Sequence, residues 1–277
     1  MISRWECVIG ARGERAQSAP RLDVLAFTQC GAFTVHAREE RMVIDANRAM
    51  FLKAGETYTM ENTFGRNAFG FALAFPPDVM NGIAPQLRDP AIRRALPAVV
   101  TKEACPRAYL LQHLLFDRLR HGPIENPLEV EESALAIAGH ALRPHAIDER
   151  AGEKKSARRQ TRESVEEAKA LLAANFRRTI HLGDVASALD LSPFHLCRLF
   201  ARHTGLGMHR YLTRLRLRGA LEQLTDPGAS ITDVALEHGF SSHSHFADAF
   251  QSEFGMTPKE VRMATRTHLR TLSESLA

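Results

Sequence analysis

A chain of 277 residues, 44% hydrophobic and 25% charged, is long enough for about two domains and apolar enough to bury real cores. No apolar run approaches the roughly 20 residues of a membrane span, and "MISRWECVIGARGERAQ" lacks the apolar stretch of a signal peptide, so a cytoplasmic protein with no membrane partner is expected. The net charge of +4 permits nucleic-acid binding without requiring it, and residues 162–277 carry only 14 Lys+Arg against 13 Asp+Glu, so any DNA contact must depend on placement. The four cysteines, Cys7, Cys30, Cys105 and Cys197, are far apart and form no C-x-x-C. They read as reduced thiols, with no spacing for a zinc or redox role.

Residues 1–100 read as mostly β. "RMVIDANRAMFLKAGETYTM" (41–60) has short apolar and aromatic runs broken at Asn47 and at "AGE". "NAFGFALAF" (67–75) is another strand, closed by Pro76 and Pro77. Short strands separated by turn residues predict a small sandwich or barrel. The prolines at 76, 77, 85, 90 and 97 exclude a long helix between them but leave room for a short one at 87–95. From Pro106 the period changes. "RAYLLQHLLFDRLR" (107–120) sets Leu110, Leu111, Leu114, Leu115 and Leu119 on one helical stripe. "LEVEESALAIAGHALR" (128–143) does the same with Val130, Ala134, Ile137, Ala138 and Leu142. These two helices either pack on the β domain, the favoured reading, or form a dimer seam. "PHAIDERAGEKKSARRQTR" (144–162) loses all periodicity and reads as a linker, its basic run a solvated tether. The domain division is therefore 1–145, a linker at 146–162, and 163–277.

Past Arg162 the chain is all helix, and a pattern appears twice. The first copy is "IHLGDVASALDLSPFHLCRLFARHTG" (180–205), the second "ASITDVALEHGFSSHSHFADAFQSEFG" (229–255). Each has a short helix at D-V-A, a tight turn, and a second helix ending at Gly205 or Gly255. Two helices joined by such a turn make a helix-turn-helix, whose second helix enters the major groove. Ser192 is an N-cap candidate, Pro193 fits the first helical position, and the two glycines fit C-caps. At ~100° per residue, Leu196, Leu199, Phe200 and His203 fall on the core face, while Phe194, Cys197, Arg198 and Ala201 face outward with Arg202 at the edge. "GMHRYLTRLRLRGALEQLTDPG" (207–228) predicts one connecting helix, with Arg214, Arg216 and Arg218 spread around it.

These motifs, with the closing "FGMTPKEVR", make residues 163–270 resemble the DNA-binding domain of the AraC/XylS family of bacterial transcription regulators. The resemblance implies double-stranded DNA as partner, RNA polymerase as a further one, a homodimer, and one recognition helix per successive major groove. Carried over by position, the first unit's readers are Phe194, Cys197, Arg198 and, at the edge, Arg202; the second unit's are His243, Ser244, His245 and Asp248. Arg198 can bind guanine O6/N7 bidentately, and Asp248, where the family often has a basic residue, can accept from cytosine N4. The second unit is therefore expected to bind more weakly or more selectively.

The same resemblance implies a cupin-like β-barrel in the N-terminal half, sensing a small-molecule effector or dimerising. The expected fold class is α+β: a small cupin-like barrel with flanking helices, then an all-α domain with two helix-turn-helix motifs joined by a long helix. A metal cupin needs clustered His and Glu in its strands, and this half has only His36 before the helices. The alternative reading, a metal sensor or cupin-type enzyme fused to a helix-turn-helix domain, finds no G-x-S-x-G, P-loop or H-E-x-x-H. No enzyme activity, cofactor or metal is expected. "EHGFSSHSHF" (237–246) resembles a ligand set only as text. His243 and His245, at i and i+2 on a helix, point ~200° apart and cannot share one ion. The three histidines read instead as groove contacts, with Ser241 or Ser242 as cap, and they predict tighter DNA binding as pH falls toward ~6.5.

Overall fold

The computed structural model describes residues 2–7, 12–37, 40–63, 68–84, 88–121, 127–142, 155–226 and 228–264. Among the described residues the N-terminal half holds nine strands: β1 (Ile2–Cys7), β2 (Arg15–Ser18), β3 (Asp23–Cys30), β4 (Phe33–Ala37), β5 (Glu40–Ile44), β6 (Arg48–Leu52), β7 (Tyr58–Glu61), β8 (Ala68–Phe75) and β9 (Val99–Glu103). They form two antiparallel sheets, one in the order β1-β8-β3-β6-β9 and one in the order β2-β7-β4-β5. No described strand pairs from one sheet to the other, so among the described residues the two sheets are not closed into the expected barrel.

Strand alternation explains how one sheet serves two cores. On β3 and β6, Ala26, Met50 and Leu52 point into a cluster shared with Phe33, Val35, Met42 and Ile44 of the smaller sheet. The alternate residues Leu25, Phe27, Ala49 and Phe51 point the other way, onto helices. Those helices are α3 (Pro106–His121) and α4 (Pro127–Leu142), which pack on each other. Leu110, Leu111, Leu114 and Leu115 are buried, as are Ala134, Ile137 and Ala138, so these helices belong to the domain's own packing. Two short helices, α1 (Pro77–Ile83) and α2 (Pro90–Ala95), fill the proline-rich stretch, and Asp89 caps α2 by accepting from the Ala91 amide at 2.7 Å. Gly70 is dictated by close approach: a side chain there would overlap the Phe27 carbonyl, next to the irregularity in β3 between Thr28 and Cys30.

The C-terminal half is helical: α5 (Lys155–Asn175), α6 (Leu182–Ala188), α7 (Pro193–Thr204), α8 (Met208–Leu224), α9 (Ile231–Glu237), α10 (His243–Phe254) and α11 (Pro258–Ala264). The linker expected over 146–162 lies outside the described residues as far as 154, and from Lys155 it is helix, not tether. α5 runs against β5, an edge strand of the smaller sheet. An edge strand carries unpaired amides and carbonyls that need partners. Here Glu166 accepts from the Val43 amide at 2.6 Å and Lys169 donates to the Val43 carbonyl at 3.1 Å. Arg162 adds two bonds to Glu40 at 2.9 and 3.1 Å. The apolar cluster on the helix side of the larger sheet continues through α3 and α4 into α5 and the helices beyond it, so the two halves share one core.

Candidate nucleic-acid interface

The two duplicated segments fold alike, and local chemistry explains both. Ser192 caps α7 by accepting from the His195 amide at 3.2 Å, with Pro193 in the first turn. Ser242 caps α10 by accepting from the His245 amide at 3.2 Å. Gly205 (φ 73°) and Gly255 (φ 75°) end the two helices in the left-handed conformation, where a residue without a side chain carries no steric cost. Inside the turns the units differ. Left-handed backbone falls on Asp190 (φ 53°) in the first and on Gly239 (φ 77°) in the second. The second turn is also one residue longer: Leu191 directly precedes its capping serine, whereas Phe240 is followed by Ser241 and only then by Ser242.

Asp tolerates the left-handed region better than most side chains, and a β-branched residue does not. Asp190→Val is therefore expected to cost about 1–2 kcal/mol, with Asp190→Gly close to neutral. Urea titration of both variants checks this; equal stability of the two would show that the turn is not under that constraint.

Counted from the capping serines, equivalent positions of α7 and α10 are exposed together. Phe194, Arg198 and Arg202 are exposed on α7, and Ser244, Asp248 and Ser252 stand in their places on α10. Phe194 is 76% exposed, unusual for so large an apolar ring. Cys197 is half-buried and forms no disulfide. His243 and His245 are both exposed, and His245 lies edge-on to Phe240 with ring centroids 5.5 Å apart. His195, exposed at the place of His245, went unnoticed in the sequence. Its signal was the cap-relative position. The inner faces are apolar: Leu196, Leu199 and Phe200 in one unit, Phe246, Phe250 and Phe254 in the other.

Two expectations are corrected. His203, expected in the core, is exposed. Its place on α10 is taken by Glu253, the residue that meets the connecting helix. His238, expected as a groove contact, is fully buried. It ends α9, its Nδ1 donates to the Val234 carbonyl at 2.9 Å, and its ring lies 6.2 Å from that of Phe176. Burial lowers its pKa, so it sits in the structure as a neutral ring. Among the described residues, no three His, Cys, Asp or Glu side chains are grouped to hold a metal ion.

The connecting helix α8 is buried on nearly every side, and three of its four arginines, Arg214, Arg216 and Arg218, go to structural partners, while Arg210 is exposed. Arg216 donates to the Phe176, Gly239 and Arg178 carbonyls at 2.8, 2.9 and 2.9 Å, tying the end of α5 to the second unit's turn. Gly239 has no room for a side chain because this guanidinium lies against it. Tyr211, Arg214 and Arg218 grip the N-terminal half. Tyr211 donates to Asp45 at 2.6 Å and its carbonyl accepts from Asn47 at 3.0 Å. Arg214 joins Glu103 at the end of β9 to Glu253 of α10, the latter at 2.9 Å. Arg218 donates to the Ala46 and Ala104 carbonyls, each at 2.7 Å, and to Asn47 Oδ1 at 3.1 Å. One helix thus carries both recognition units and is anchored to the β5–β6 turn.

A family model described as "Helix-turn-helix domain" matches residues 185–264, which covers α7 through α11 and most of α6. Residues 185–264 are an AraC-type helix-turn-helix domain. A relative named HTH-type transcriptional activator RhaS, from Enterobacter sp. (strain 638), is 37% identical over 101 residues, 36% of this chain and 36% of its own. The AraC-type match therefore spans about a third of the length of that curated relative. Among solved structures, a transcriptional regulator with an AraC-type DNA-binding domain from Chromobacterium violaceum is 28% identical, over 40% of this chain and 96% of that one, with a TM-score of 0.34. ToxT from Vibrio cholerae is 11% identical over 95% of this chain and 98% of its own, with a TM-score of 0.36.

Proposed function

We propose that this chain is a sequence-specific DNA-binding transcription regulator, acting as a homodimer and responding to a small-molecule effector through its N-terminal half. The observation that carries the reading is the pair of capped, outward-facing helices, α7 and α10, held by one rigid connector. Adjacent major-groove faces of one duplex repeat every ~34 Å, and two linked recognition helices suit that repeat. On this reading residues 1–145 regulate and dimerise, residues 163–277 bind DNA, and the stretch 146–162 joins them. RNA polymerase is the further partner, and the cytoplasm the location.

Arg198 reads guanine bidentately, and Phe194 contacts a thymine methyl. Cys197 adds little, and Arg202 holds a phosphate at the groove edge. In the second unit, Ser244 and His245 face the bases, His243 the groove edge, and Asp248 accepts from a cytosine amino group. An effector that binds one arrangement of the halves more tightly biases the paired helices toward correctly spaced half-sites.

The test is binding of purified protein to genomic fragments, followed by footprinting of variants on the selected site. Arg198→Ala is expected to weaken specific binding about tenfold to a hundredfold, the worth of one bidentate base contact at ~1–3 kcal/mol. Asp248→Ala is expected to leave binding intact or to strengthen it, since it removes a negative charge near phosphate. A footprint kept by Arg198→Ala and lost by Asp248→Ala would reverse these roles.

A further inference from the structure

The two helix-turn-helix units carry different charge. The first, residues 180–205, sets Arg198 and Arg202 against Asp184 and Asp190. The second, residues 229–255, sets no lysine or arginine against Asp233, Glu237, Asp248 and Glu253, and the whole stretch 219–258 contains neither. The difference reaches the recognition helices. The exposed side chains of α7 include both arginines, whereas those of α10 are His243, Ser244, His245, Asp248, Gln251 and Ser252, whose one fixed charge is negative. Duplex DNA carries a negative charge per ~1.7 Å of axis, so a face whose only charge is Asp248 is repelled as it nears phosphate. Histidine is the side chain that changes charge between pH ~5 and ~8. With both rings protonated, the exposed face of α10 turns from net negative to net positive.

The surroundings leave those rings to answer to DNA. His245 Nδ1 lies 3.3 Å from the Ser241 hydroxyl and its ring is edge-on to Phe240, contacts that carry no charge. The charged groups of the helices packed on α10 are engaged elsewhere. On α8, Arg216 donates to three carbonyls, and Arg214 and Arg218 meet Glu253 in the last turn of α10. On α9, Glu237 accepts from Gln223, Asp233 stands in the first turn, away from α10, and His238 is buried and neutral. On α3, Arg118 and Arg120 pair with Glu129 and Glu222, Arg107 and Asp117 are half-buried, and His113 is buried. On α11, past the far end of α10, Glu260 accepts from Thr257, Arg262 donates to the Leu224 and Ala229 carbonyls, and Lys259 is exposed. On the exposed face of α10 itself the charged neighbour is Asp248, one turn past His245.

We propose that the second unit joins DNA only with His243 and His245 protonated, so that the chain grips one major groove at pH ~8 and two at pH ~6. The inference rests on the DNA-binding reading above and sets a condition on it. An imidazolium beside phosphate releases a counterion as lysine or arginine does, so proton uptake and DNA binding are linked, and lower pH tightens the complex. The first unit needs no proton, because Arg198 and Arg202 are charged throughout this range. His195, which stands on α7 where His245 stands on α10, only adds to a face already positive.

The experiment selects a site from genomic fragments with the full chain at pH ~6, then footprints it with hydroxyl radicals at pH ~6 and ~8. The parent is expected to protect two stretches one helical turn apart, about 10 bp, at the lower pH and one of them at the higher. His243→Gln/His245→Gln is expected to protect one stretch at both. Between the two pH values, the slope of log affinity against log salt is expected to steepen by ~1.8 more in the parent than in this variant, ~0.9 for each phosphate neutralised. His243→Lys/Asp248→Asn, whose α10 face is positive at either pH, is expected to keep both stretches at the higher pH, which a merely structural role for the histidines would not produce. Two protected stretches in the parent at the higher pH, one stretch at both, a second stretch still gained by the glutamine variant at the lower pH, or none gained by the lysine variant at the higher would each overturn the proposal and leave the DNA-binding reading standing. Failure to select any site at either pH defeats the DNA-binding reading itself.

Discussion

Arg218→Met is expected to cost about 3–5 kcal/mol of stability in urea unfolding of the full chain, the range found when one partner of a buried ion pair is removed. The guanidinium is fully buried, and burial lowers its pKa from the usual arginine value. Three oxygens from two separate turns of the β half converge on it, all within 3.1 Å. Glu253 stands 3.5 Å away, and the guanidinium lies 4.7 Å from the centroid of the Tyr109 ring. Methionine fills much of the volume but strands the Ala46 and Ala104 carbonyls and leaves Glu253 to Arg214 alone. Lysine is no substitute, because one ammonium cannot bridge two carbonyls and stack on a ring as a planar fork does. Arg218→Lys is accordingly expected to recover only part of the loss. Arg198→Met, an exposed control on α7, is expected to stay within about 0.5 kcal/mol of the parent. A loss below about 1 kcal/mol for Arg218→Met would mean that the connector is held by its apolar packing instead.

Lys169→Met is expected to have a comparable effect, about 3–5 kcal/mol, by stranding the Glu166 carboxylate. Both side chains are buried, they meet at 2.6 Å, and together they serve the amide and carbonyl of Val43 on the edge strand. The double variant Lys169→Met/Glu166→Gln removes both charges and keeps an acceptor for the Val43 amide, so it is expected to regain most of the stability. Burial, with Arg48 nearby, pushes the Lys169 ammonium down to about 8. An unfolded lysine holds its proton to ~10.4, so between these pH values the unfolded chain binds the extra proton and this residue's contribution rises with pH. Stability of the parent relative to the double variant is thus expected to grow from pH 8 to pH 10. A flat difference would show that Lys169 titrates as an ordinary surface lysine.

Much of the helix-turn-helix half was legible in the sequence because its signals are local. A serine before Pro193, a glycine after Thr204, and the same arrangement around α10 report on backbone within a few residues of themselves. The strands at 40–44, 48–52 and 68–75 were visible in the same way, through short apolar runs and the breaks at Asn47 and Gly55. Sheet closure was not, because it depends on which strands find each other. A run of short strands is compatible with either a barrel or two open sheets. His238 misled for a related reason: its exposed neighbours His243 and His245 share its chemistry, and only packing under α8 tells it apart.

By itself, then, the sequence determined that two helix-turn-helix units exist, that Ser192, Gly205 and Gly255 cap their second helices, and which residues of α7 other than His203 lie outside the apolar stripe. Helical periodicity and caps act over three or four residues, so the chain carries them in plain order. Only the tertiary structure decided the use of Arg214, Arg216 and Arg218. A basic residue on a DNA-binding helix looks available for phosphate until its partners are known. Those of Arg218 lie on the β half, with Ala46 172 residues away in the chain. The same holds for Glu166 and Lys169 on the β5 edge. Each needs two distant segments brought together, and contacts of that range leave no period or spacing in the sequence.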